Sequence, residues 1–301
     1  MIYRVKHRTA YAYESEVTFA RCVLRLTPRS LATQAVLESR ITIKPEPTLT
    51  FTRIGPLDEQ TTTVMIETPH KALIIEAVSR VDVNTPPTRL DFGEPWEAVR
   101  ARSLQTIDLG PEGPANFLYP SVRTPLTPVI TEYARASFWP GRGVVAATTE
   151  LMSRIWVDFK YDAKATDVST TALEAFEARR GVCQDFTHIM ICGLRGLGLP
   201  ARYVSGYLRT MPPPGRPRLE GADATHAWVS VWCGDEWIGF DPTNDVLVQD
   251  NHIVLAAGRD YSDVAPIDGI ILGPGKQTLK VEVDVMPESD LMVVRPAFGG
   301  R

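Results

Sequence analysis

No stretch of the first 85 residues carries a helical period. Instead IYRVKHRTAYAY, TFARCVLRLTP, AVLESRITIKP, TLTFTRI, QTTTVMIET and KALIIEAVSRVDV follow one another, each rich in Val, Ile, Thr and aromatics. Such side chains suit a pleated, half-buried surface, and the Pro, Gly and acidic clusters between the runs are turn formers. In RITIKP and TLTFT apolar and polar residues alternate, which sends one face inward and the other outward. The pattern predicts an antiparallel β-sandwich over residues 1–85.

The pattern changes after NTPPTRLDFGEP, whose Pro and Gly content marks a linker over residues 86–95. EPWEAVRARSLQ, TPVITEYARASF, VAATTELMSRIWVDF and STTALEAFEARR then space their apolar residues as helices do. Ser169 or Thr170 is the expected cap of the last, with Glu174 in its first turn. A further helix is expected from about 183 to 197, with Ile189, Cys192 and Leu197 among its apolar positions, stopped by Gly198 and Leu199-Pro200. ARYVSGYL, HAWVSVW and EWIGF read as strands, residues 212–217 as a loop and KVEVDV (280–285) as a late strand. The expected fold class is α+β: a front sandwich, a mixed core over residues 96–290 and a tail over 291–301.

A chain of 301 residues can bury a sizeable core and supports two domains. Its net charge of −4 supplies no electrostatic pull toward nucleic acid or an anionic membrane. The opening MIYRVKHRTAYAY lacks the apolar core of a secretory signal, and no run is apolar enough to span a bilayer, so the expected location is the cytoplasm. Cys22, Cys183, Cys192 and Cys233 are too sparse for a disulfide framework and read as reduced thiols.

Cys183 stands apart from the other three. Gly181 ends one helical stretch and Cys183 opens the next. A helix N-terminus offers free N–H groups and partial positive charge, which favour a thiolate. The same N–H groups, that of Cys183 first, can donate to an oxyanion. Cys22 lies within a strand, Cys192 among Ile189, Met190, Ile191 and Leu194, and Cys233 at a strand end; all three read as buried thiols. Asp185 near the same terminus suits the dipole but opposes a thiolate, so an outward or capped position is expected. His188 and Cys192 lie four apart on the helix, but no second pair completes a zinc set, and no metal is expected.

HAWVSVWCGDEWIGFDPT reads as a hairpin turning at Gly234-Asp235. Cys233 then pairs with Glu236, Trp228 opposes Asp241 and His226 opposes Thr243. His226 and Asp241 become diagonal neighbours on one face, about 7–8 Å apart at the backbone, a gap that one imidazole–carboxylate hydrogen bond can span. A one-residue slip would separate them. Thiol, imidazole and carboxylate together make a candidate nucleophile, base and orienting group.

These residues resemble the transglutaminase-like superfamily, with its papain-like Cys-His-Asp core. GVCQDFTHIMICGLRGLGLPARYVSGYL is similar to its nucleophile helix and following strand, DATHAWVSVW to its histidine strand, and GFDPTND to its aspartate strand. YRVKHRTAYAYESEV…LRLTPR resembles the β-rich N-terminal domain of bacterial members, and HIVLAAGRDYSDVAPIDGI the segment after the aspartate. The resemblance assigns Cys183 as nucleophile, His226 as base and acid, and Asp241 as orienting carboxylate. Gln184 stands where the animal enzymes carry a Trp, so their oxyanion arrangement does not transfer, and nothing resembles their calcium sites. Tyr161 resembles an aromatic that many members carry upstream of the Cys. Tyr161, Gln184, Trp228 and Tyr261 are the candidate substrate or oxyanion contacts. GRDYSDVAP, with Tyr261, is either a substrate contact or a cover over the triad.

The chemistry so implied is acyl transfer on amide bonds of a protein or peptide, through a Cys183 thioester and without a cofactor. Water as acceptor makes a peptidase or amidase, the favoured expectation; an amine makes a transglutaminase. A non-catalytic binding module and an arylamine-acetyltransferase-like reaction from a thioester donor are the alternatives. The three intact triad residues speak against the first, and the front β-domain and GRDYSDV against the second. The sequence is silent on oligomeric state.

Overall fold

The computed structural model describes residues 1–85, 93–210 and 224–293. Most of the expected linker, the loop at 212–217 and the tail beyond 293 lie outside the described residues. The front strands form as expected: β1 (Ile2–Val17), β2 (Phe19–Leu24), β3 (Gln34–Lys44), β4 (Leu49–Ile54), β5 (Gln60–Ile66) and β6 (His70–Val83). In β1, Tyr3, Val5, His7 and Thr9 are buried while Arg4, Lys6 and Arg8 are not, the period-two pattern of a strand with one covered face.

Helices follow: α1 (Trp96–Gln105), α2 (Pro128–Arg135) and α3 (Val144–Asp158). The short strand β7 (Lys160–Tyr161), α4 (Ala172–Ala178) and β8 (Arg180–Gly181) lead into α5 (Cys183–Gly196). Then come β9 (Ala201–Leu208), β10 (Ala224–Trp232), β11 (Trp237–Asp241), β12 (Val246–Leu247), β13 (His252–Gly258), α6 (Tyr261–Val264), β14 (Ile267–Leu272), β15 (Gln277–Pro287) and α7 (Glu288–Val293). No helix among the described residues is long and apolar enough to cross a membrane.

Two four-stranded antiparallel sheets face each other, in the orders β15-β1-β6-β3 and β14-β2-β5-β4. Tyr13, Val17, Leu24, Val64, Ile66, Leu73 and Ile75 fill the space between them. Each such fully buried aliphatic side chain contributes about 1.5–3 kcal/mol. The sandwich is therefore not built from residues 1–85 alone. Val285 pairs with Val5 and Ile267 with Leu24, so β14 and β15 close both sheets. This corrects the expected division, which assigned residues up to 290 to the core. Alternation marks KVEVDV as a strand but does not say which sheet edge it joins.

The second part is a five-stranded sheet, β12-β11-β10-β9-β13, with α5 packed against it. Every residue from Gln184 to Arg195 is buried, because α2, α3 and α4 cover the sides of α5 that the sheet does not. Gly193 and Gly196 make the close approach of α2 possible: an added Cβ would lie 2.7 Å from Ala134 Cβ at the first and 1.9 Å from Thr131 Oγ1 at the second.

The two parts share a third apolar cluster. Tyr3, Val5, Val81, Val83, Val283 and Val285 of the front sheet meet Tyr207, Ile253 and Leu255. Gln34 stitches the seam, donating to Val254 O and accepting from Val254 N, each at 2.8 Å.

Candidate functional site

Thr171 caps α4: its Oγ1 accepts from Glu174 N at 3.2 Å, and Glu174 Oε2 accepts from Thr171 N at 2.8 Å. The cap is one or two residues later than expected. Arg179 then takes a left-handed conformation (φ 53°) and ends the helix. Two residues of β8 and an extended Val182 bring the chain into α5, with Cys183 as its first helical residue. Asp185 is buried, and its Oδ2 accepts from Val182 N at 2.8 Å and Thr166 Oγ1 at 2.7 Å. It occupies the capped position, not an outward one. The α5 ladder begins with Asp185 and Phe186, whose N–H groups both reach Val182 O. The N–H groups of Cys183 and Gln184 precede that ladder and lie at the positive end of the helix dipole.

Cys183 is half-buried, whereas Cys22, Cys192 and Cys233 are buried. Burial pushes the Cys22 thiol up to about 11 and that of Cys192 up to about 12, and raises Cys233 as well. Those three are held as neutral thiols.

The hairpin has the expected register. Val229 pairs with Phe240, Val231 with Ile238 and Trp232 with Trp237, and Cys233 N donates to Glu236 O at 2.9 Å across a turn where Gly234 has φ 117°. His226 and Asp241 meet as that register requires: Nε2 lies 2.7 Å from Asp241 Oδ2. With Nε2–H donated to Asp241, Nδ1 is the ring nitrogen left for Cys183. Burial, the largest single influence on His226, pushes its pKa down. The hydrogen bonds and negative charges of Asp241 and Cys183 outweigh it and lift the ring to about 10. The site therefore favours an imidazolium beside the Asp241 carboxylate.

Asp241 has no exposed surface. Its Oδ2 also accepts from Asn244 Nδ2 at 2.7 Å and His252 Nε2 at 3.2 Å, and its Oδ1 from Thr243 N at 3.0 Å and Asn244 N at 3.2 Å. Burial alone would raise this carboxyl, but the bonds from His226, His252 and Asn244 hold it well below the usual carboxylate range. Sequence reasoning missed His252 and Asn244. Asn244 lies three residues past Asp241 in the same turn, a local signal. His252 lies at the start of β13, and only the strand order brings it near.

The remaining candidates divide. Tyr161 is 56% exposed and pairs with Gly181 across β7 and β8. Its hydroxyl is raised by partial burial and then by the negative charge at Cys183, which lies two residues past its strand partner. Tyr261 is half-buried at the start of α6 and is raised, after burial, by that same charge among others. Tyr203, not singled out from the sequence, is buried and also feels Cys183. Gln184 follows Cys183 and is 9% exposed. Trp228 is buried, its ring 6.1 Å from that of His226 and 5.2 Å from that of His252. It packs behind the histidines as a supporting wall, a correction to its expected place at the substrate.

His188 is buried and held neutral near pKa 4, chiefly by burial, and its Nε2 accepts from Tyr261 N at 3.3 Å. It supports the GRDYSDV segment. Within that segment Asp260 accepts from Arg123 N at 2.9 Å, and Arg259 binds Asp263. His226, Asp241 and His252 are the three ligand-type side chains that converge among the described residues. The atoms that would bind an ion there are already joined by the 2.7 and 3.2 Å hydrogen bonds.

The description of the bacterial transglutaminase-like N-terminal region matches residues 3–82, and that of the transglutaminase-like superfamily matches residues 133–242, which contain Cys183, His226 and Asp241. An uncharacterized protein of Mycobacterium tuberculosis is 41% identical over 95% of this chain and 92% of its own length. A protein-glutamine gamma-glutamyltransferase of Pseudomonas aeruginosa is 27% identical over 50% of this chain and 24% of its own. A crystal structure of a candidate cysteine protease from Cytophaga hutchinsonii has the same fold, with TM-score 0.73 and 20% identity over 95% of this chain and 91% of that one. The chain belongs to the transglutaminase-like superfamily and carries the bacterial form of its N-terminal region.

Proposed function

We propose that the chain is a cysteine-dependent amide hydrolase that works through a thioester at Cys183. The observation that carries this reading is the continuous link of Cys183, His226 and Asp241 at the N-terminus of a buried helix. The Cys183 thiolate attacks the amide carbonyl of a peptide or protein. The developing oxyanion is received by the N–H of Cys183 at the helix terminus. His226, charged at neutral pH, protonates the leaving amine, and the thioester forms. His226 then takes a proton from water, which attacks the thioester and releases the acid. Asp241 fixes the ring orientation and stabilises the imidazolium throughout. Water is the favoured acceptor because Cys183 is half-exposed and Tyr161 beside it is open to solvent.

Amine transfer is the second reading. It is favoured by the similarity to the Pseudomonas aeruginosa gamma-glutamyltransferase, which spans half of this chain. Mass spectrometry of peptide libraries with and without an added primary amine separates the two. Cleavage or deamidation that disappears in Cys183→Ala is the expected result. Amine incorporation outrunning hydrolysis would shift the assignment to transfer. No Cys183-dependent mass change would overturn both.

A further inference from the structure

A cavity of about 590 Å³ lies on the face of the catalytic sheet turned away from α5. That volume is in the range that takes up small ligands. Arg29 supplies one wall from the front part, and Arg202, Trp228 and His252 supply another from the sheet. Arg29 and Arg202 are only 6% and 9% exposed. Burial is the main influence lowering the Arg202 guanidinium, and the positive charge of Arg29 acts in the same direction, so the two cations lie within each other's field. They share one carboxylate, Glu112, which is 2.7 Å from Arg29 Nη2, 2.5 Å from Arg202 Nη1 and half exposed. Asp58, also half exposed, reaches Arg29 at 3.3 Å.

These partners leave donors unused. The Nε–H of Arg29 and that of Arg202 are both buried without a hydrogen-bond partner. An unmade bond on a buried cation is costly, and an oxyanion satisfies it with a charge-assisted bond. Asp235 and Glu236 also line the cavity, but both are exposed, so solvent and salt screen them. Trp237, Ile238, Val248 and Val254 make much of the remaining wall apolar. The wall also touches the triad: His252 donates to Asp241 at 3.2 Å, and the Trp228 ring packs against both histidines.

We propose that this cavity is a regulatory site for a small organic carboxylate with an apolar body, read at Cys183 through His252 and Trp228. The site is independent of which acceptor resolves the thioester. The test uses 3-phenylpropionate beside its neutral amide and its amine isostere. Tryptophan fluorescence gives the affinities, and mass spectrometry gives the iodoacetamide alkylation rate of Cys183 with the ligand bound. The carboxylate is expected to bind at least about ten-fold more tightly than either isostere. Arg202→Met and Arg29→Met are each expected to remove that preference, and saturation to change the alkylation rate by about five-fold. Equal binding of all three compounds, no saturation below about 10 mM, or an unchanged alkylation rate at saturation overturns the proposal. The isostere comparison needs no variant, so a misfolded variant leaves the test decisive. Alkylation reads the thiol without a substrate, so failure here is distinct from failure of amide hydrolysis.

Discussion

Replacing Asp241 by Asn removes one charge and little volume, and its consequence can be worked from the site. Oδ2 of Asp241 accepts from His226, His252 and Asn244, and the residue has no exposed surface. The lift of His226 from 6.5 to about 10 amounts to roughly 5 kcal/mol in favour of the imidazolium. In Asp241→Asn the burial that pushes this ring down acts without its main counterweight, and its titration midpoint should fall by several pH units. The chain has five histidines, so ring-carbon NMR on labelled protein can follow His226 directly. Alkylation of Cys183 supplies the functional reading. At pH 6 the variant, whose His226 no longer carries a full positive charge beside the thiol, should react at least about ten-fold more slowly than the parent protein. A His226 midpoint still near 10 in a variant with a normal near-UV spectrum would refute the reasoning.

His252→Leu removes one of three donors to Asp241 Oδ2 and should cost about 1–3 kcal/mol of stability by denaturant unfolding. A change within experimental error would mean that the bond carries no weight. Gly206→Ala would set a Cβ 2.2 Å from Ile253 O and 2.5 Å from Trp228 Cη2, with rigid backbone on one side. It should cost about 1–3 kcal/mol or more, and slow Cys183 alkylation because Trp228 packs on His226. The pH dependence of stability has opposite signs at the two ends. His226 is raised, so its contribution is complete below pH 6.5 and is lost as pH rises toward about 10. Asp241 is depressed, so its contribution is complete above its ordinary value of 3.8 and is lost as pH falls below that. Urea midpoints across pH should show both limbs in the parent protein, and Asp241→Asn should lose the acid limb and, with His226 no longer raised, the alkaline limb as well.

What was legible in the sequence was local. Gly234-Asp235 is a two-residue turn, and such a turn sets the register of both strands, which carried His226 to Asp241. The place of Cys183 at the start of its helix was legible because Gly181 and Gly198 bracket that helix. The α4 cap was missed among three adjacent hydroxyl residues, although only Thr171 stands three before Glu174, the spacing that a capping box needs. Nonlocal pairing was not legible. His252 reaches Asp241 from a strand three places along the sheet from β11, and nothing within HIVLAAG encodes that order. Trp228 shares a face with His226, as alternation requires, but only the packing shows that it is buried against Val204 and Ala257.

The seam between the two parts bears on whether the part that carries Cys183 can stand alone. β14 and β15 leave the five-stranded sheet behind and complete the two front sheets. Without residues 1–85 both would lose their partners, and Tyr207, Ile253 and Leu255 would lose the apolar surface that covers them. Val254 would also lose Gln34 and the Arg29 N–H, three hydrogen bonds placed two residues from His252. Unpaired strand edges and exposed apolar side chains favour association over folding. A fragment spanning residues 93–301 should therefore be aggregated or lack a cooperative thermal transition, and its Cys183 should have lost its selective reactivity. If the fragment instead melts cooperatively as a monomer and Cys183 keeps its acid reactivity, then the front sheets serve some purpose other than holding β13, and the seam at Val254 is not what keeps His252 against Asp241.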